Sequence, residues 1–103
     1  MADVDLISVY QTEDGDPLRF KVELVHSSPL RSETRHQVTM SAATFARLTT
    51  GYNTPDNVIG AAFRFLLDRE PKESILPSFD ISEISRYFPD FERELPRYLP
   101  QTT

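Results

Sequence analysis

The chain has 103 residues, 39% of them hydrophobic, a net charge of −5 and no cysteine. That length is one domain hiding roughly 65% of the surface its unfolded chain exposes, and the composition is far from that of a disordered chain. Without Cys there are no disulfides, thiolate metal sites or cysteine nucleophiles, so a reducing, cytoplasmic setting is expected.

Val4 to Thr12 is rich in β-branched and aromatic residues and runs into Glu13-Asp14-Gly15-Asp16-Pro17, where the Asp-Gly step predicts a turn. Beyond it Leu18, Phe20, Val22 and Leu24 alternate with Arg19, Lys21 and Glu23, the period of a strand wet on one face. The two runs predict an antiparallel hairpin. Ser27 to Glu33 holds Pro29 and reads as a loop; Arg35, Gln37 and Thr39 then alternate with His36, Val38 and Met40 as a third strand.

Ser41 is a suitable N-cap for a short helix with Ala42, Phe45 and Leu48 on one stripe and Gly51 as its stop. Thr54, Pro55 and Asp56 open a second helix whose Val58, Ile59, Ala62, Phe63, Leu66 and Leu67 form a broad apolar face before Pro71 ends it. Arg64 interrupts this run, which is too short to span a bilayer, so no membrane partner is expected. The opening Met1-Ala2-Asp3-Val4-Asp5 lacks the cationic and apolar stretches of a secretory signal. After Pro71 the apolar residues come in short pieces between prolines. Asp80 and Glu83 have capping-box spacing, and Phe91 and Leu95 suit a last short helix.

The expected architecture is therefore α+β and a single domain. A three-stranded antiparallel meander (residues 1–40) is covered by two helices (41–70), with a C-terminal tail of short helices (71–103) wrapping the edge.

Catalytic chemistry finds little support. Two His without Cys give no ligand spacing for a metal. His26 and Ser27 are neighbours on a strand and point to opposite faces. Paired carboxylates such as Glu92 and Glu94 sit in solvated settings, and glycines 15, 51 and 60 form no phosphate-binding loop. No enzyme activity and no cofactor are expected.

Charge is unevenly distributed. Residues 1–17 carry five acids and no base, whereas residues 18–50 carry Arg19, Lys21, Arg31, Arg35 and Arg47 against Glu23 and Glu33. An ordinary sheet face with compensating charges accounts for this, and an anionic partner is the alternative.

Strand, short helix, turn and second helix across residues 35–70 resemble a ribbon-helix-helix DNA-binding domain. That resemblance implies a dimer whose paired strands would present Arg35, Gln37 and Thr39 to the major groove. A preceding hairpin would cover the edge such a dimer uses, and net acidity weakens the electrostatic part of DNA binding. The segment FLLDREPKESILPSFDISEISRYFP, residues 65–89, resembles a group of small uncharacterised bacterial proteins, which implies a bacterial, cytoplasmic protein and assigns no site. Its charged part, Asp68 to Glu73, reads as a solvated helix end, with Ile75 and Leu76 as an anchor returning to the core or as a partner-docking segment.

Tyr10, Tyr52, Phe79, Tyr87, Phe88, Phe91, Tyr98 and Leu99 are more large groups than a small core obviously needs. The expected function is thus a non-catalytic protein-interaction or adaptor module that binds another protein or itself through Tyr87, Phe88, Phe91 and Tyr98. A ribbon-helix-helix-like DNA binder is the alternative.

Overall fold

The computed structural model describes residues 4–49 and 53–100. Strands β1 (Leu6–Glu13) and β2 (Leu18–His26) form the antiparallel hairpin, with Val9 opposite Val22. Alternation sorts β2 as the sequence predicts, burying Phe20, Val22 and Leu24 and exposing Arg19 and Lys21. Strand β3 (Ser32–Met40) pairs with β2 along its length, placing Val38 opposite Phe20 and His36 opposite Val22.

The sheet has four strands rather than three. Ser78–Asp80 forms β4, which pairs in parallel with β3 and completes the order β1-β2-β3-β4. Three residues after a proline carry no readable period, and the pairing joins positions some forty apart. Tertiary contacts supply what local sequence does not. Phe79 faces Val38 across the pair, the Thr39 hydroxyl donates to Asp80 at 2.5 Å, and His36 Nδ1 lies 2.7 Å from the Leu76 carbonyl oxygen.

Helix α1 (Ala42–Leu48) is capped by Ser41, whose Oγ accepts from the Thr44 amide at 3.0 Å. The predicted stripe is only partly right, since Ala42 is exposed while Thr44 and Leu48 are buried. Asp16, in the hairpin turn, accepts from the Ala42 amide and so draws that turn to the helix start. The Gly51 stop and Tyr52 lie outside the described residues.

Helix α2 (Pro55–Leu67) starts as expected, with Thr54 Oγ1 accepting from the Asn57 amide. Nine of its thirteen residues are buried, more than one apolar face requires. The reason is that α2 is covered on two sides. Phe63 turns to the sheet and meets His36 and Phe79, with ring centroids 5.4 and 5.9 Å away. Phe65 turns the other way and meets Phe88, Phe91 and Tyr98 at 5.9, 5.0 and 5.9 Å. The tail thus covers the β3 edge of the sheet through β4, as expected, while its short helices form a third layer on α2.

That layer consists of a 3-10 turn (Ile81–Glu83), α3 (Ile84–Tyr87), α4 (Phe91–Glu94) and a last 3-10 turn (Leu95–Arg97). Asp80 and Glu83 make the predicted reciprocal capping box. The Arg69 guanidinium sits 3.6 Å above the Phe65 ring and pairs with Asp90, tying the end of α2 to the tail.

Candidate functional site: an apolar groove beside the short edge strand

Where α2 hands over to the tail, the chain leaves a groove of about 240 Å³. Pro71 ends the helical path and a 3-10 turn (Lys72–Ser74) redirects it. Ile75 then anchors in the core at 5% exposure, while Leu76 is left 46% exposed on the groove wall. Leu66 and Phe79 form its apolar floor. On the far side the capping box starts α3, so that Ile84 turns inward and Tyr87 and Phe88 lie along the opening. Tyr87 is 67% exposed.

Two carboxylates line this apolar space. Glu83 is committed to the fold, its Oε2 accepting from the Asp80 amide at 2.9 Å. Glu70 is different. Half-buried in the groove, its carboxylate has no ion pair among the described residues, and burial raises its pKa. A carboxylate so placed favours a cationic group that would share its desolvated surroundings.

Beneath the groove wall His36 is 2% exposed. It donates from Nδ1 to the Leu76 carbonyl oxygen, and its Nε2 lies 2.8 Å from Thr34 Oγ1, which fits the neutral ring. Burial lowers its pKa and outweighs the opposing effect of the Leu76 bond. It is a structural clasp that holds the Leu76 backbone to β3.

The four aromatics singled out from sequence do not share one surface. Tyr87 and Phe88 line the groove. Phe91, at 1% exposure, is a core residue against Phe65. Tyr98 is half-buried, donates its hydroxyl to Asp68 and borders a separate depression beside Val4 and Ile7. Glu70, Leu76 and Phe79 complete the groove; the sequence offers Leu76 only as an alternative docking residue and Phe79 only as a surplus large group, and assigns Glu70 no site role, because nothing local joins them to Tyr87. Lys72 also departs from its expected solvated state: its side chain is 4% exposed, with the ammonium 2.6 Å from Glu73 Oε2.

Arg35 and Gln37 lie exposed on the open face of the sheet, with Thr39 half-buried beside Asp80. The cations of this region are neutralised locally. Arg19 pairs with Glu13, Lys21 with Glu23, Arg31 with Glu33, and Arg35 with both Glu23 and Glu33. Strand β3 is paired along its length with β2 and, at Gln37–Thr39, with β4 on the other side, so its second edge is occupied at Gln37 and Thr39, the central part of the strand a twin would pair with. Among the described residues no cluster of three or more His, Asp or Glu side chains could hold a metal ion. Ser27 turns to Asp5, its hydroxyl donating to the carboxylate at 2.5 Å, rather than to His26. No helix in the described residues is long and apolar enough to cross a membrane.

Comparison with family models, curated proteins and solved structures gives no match.

Proposed function

We propose that this chain is a non-catalytic binding module whose groove seats an apolar side chain of a protein partner, with a neighbouring Lys or Arg of that partner meeting Glu70. The observation that carries this reading is the unpaired Glu70 carboxylate set among Leu66, Leu76, Phe79 and Tyr87. An apolar anchor in a concave site supplies affinity, and one half-buried charge supplies selectivity. The exposed Tyr87 and Leu76 form a rim able to close over the anchor.

Selection of peptides from a random displayed library on the immobilised protein tests it. Selected peptides should share a large apolar residue beside Lys or Arg, and Glu70→Gln or Tyr87→Ala should each weaken their binding about tenfold, the equivalent of about 1.4 kcal/mol. Failure to select a consensus, or selected peptides indifferent to both substitutions, would refute the reading.

A further inference from the structure

We infer that the free edge of β1 joins a second copy of this chain, so that two four-stranded sheets continue as one. Strand β1 ends the sheet order and runs for eight residues, LISVYQTE. Sheet edges are commonly protected by Lys, Pro, brevity or a bulge. This edge has no Pro and no cation, and its single charge, Glu13, is at the end and already paired with Arg19 at 3.3 Å. Its bulge is also terminal, between Gln11 and Glu13. The opposite edge is by contrast broken: β4 is three residues long, follows Pro77 and ends in Asp80, and beyond it Ser32–His36 of β3, with Glu33 and Arg35, has no strand partner on that side among the described residues. Leu6 and Tyr10 on β1's open face are 55% and 49% exposed.

The side-chain pattern selects a copy of the same strand as occupant. A two-fold axis normal to the sheet keeps each face on its own side, so residues oppose others of the same parity. With the axis at Ser8, Leu6 lies opposite Tyr10, Ile7 opposite Val9 and Asp5 opposite Gln11. Apolar meets apolar on both faces, and no like charges oppose each other between Asp5 and Gln11. An axis at Val9 would set Asp5 against Glu13, two carboxylates, and an axis at Ile7 would set Asp5 against Val9. The Ser8 register alone avoids both costs.

Because the chain has no cysteine, one introduced thiol reports this register unambiguously. Opposed residues have Cβ atoms about 4.5–5.5 Å apart, close to disulfide geometry. Under mild oxidation Ser8→Cys should form a covalent dimer much faster than Leu30→Cys, a control at a site 80% exposed and off the edge. Leu6→Cys and Tyr10→Cys should cross-link poorly alone and readily when mixed. Sedimentation equilibrium should give twice 11.8 kDa in the roughly micromolar to millimolar range. Ser8→Lys, which opposes two ammonium groups at the axis, should weaken the dimer at least about tenfold with its circular dichroism unchanged. A wild type that stays monomeric throughout overturns the inference, including one that pairs only with strands of another protein. So does Ser8→Cys cross-linking no faster than Leu30→Cys, a result that stands even if Ser8→Lys does not fold, and so does a dimer that a folded Ser8→Lys leaves intact.

Discussion

Truncating Phe91 to Ala removes a side chain that is 1% exposed and stacks edge-on against Phe65 at 5.0 Å. Cutting a buried Phe to Ala typically costs about 3–5 kcal/mol, through lost transfer energy plus the cavity left behind. The edge-to-face pair accounts for about 0.5–1.5 kcal/mol of that. Domains of this size are stable by only about 5–15 kcal/mol, so the variant should retain a fold with a melting temperature about 15–30 °C lower. Urea unfolding followed by far-UV circular dichroism, and by Tyr fluorescence because the chain has no Trp, should shift its midpoint in one transition with little change in slope. Tyr87→Ala is the control, since at 67% exposure its loss should change stability by no more than about 0.5 kcal/mol. A cost below about 1 kcal/mol for Phe91→Ala, or two separate transitions, would refute the tail as an integral layer on α2.

Gly60→Ala should stabilise the protein by about 0.5–1 kcal/mol. The added Cβ would meet only the flexible Arg64 guanidinium at 3.6 Å, and the backbone is helical, so a thermal melt that moves downward would contradict that geometry. The fold favours neutral His36, so its contribution is fully present above the unfolded value near 6.5 and declines as pH falls through it toward the lower folded value. Urea midpoints between about pH 7.5 and 5.5 should therefore fall in the wild type and fall less in His36→Gln; identical slopes would count against the buried neutral ring. The lowered carboxyl groups Asp5, Glu73 and Asp80 lose their contribution only below their ordinary values of 3.8–4.5, outside that window.

Local chemistry wrote much of this structure into the sequence. The β-branched and aromatic run of β1, alternation in β2 and β3, the caps Ser41 and Thr54, Pro55 at the first turn of α2 and the Asp80–Glu83 box each act within a few residues, so their geometry follows from residue type and spacing. The count of strands, the second covered face of α2 and the groove did not follow in that way. Ser78–Asp80 becomes a strand only because β3 offers it an edge, and Phe91 leaves the surface only because Phe65 points away from the sheet. Glu70, Leu76 and Tyr87 belong to separate local motifs, and the distant pairing of Val38 with Phe79 makes them walls of one site. Periodicity specifies which face of an element is apolar. What covers that face, and which side chains remain at the rim, is decided by packing between parts of the chain far apart in sequence.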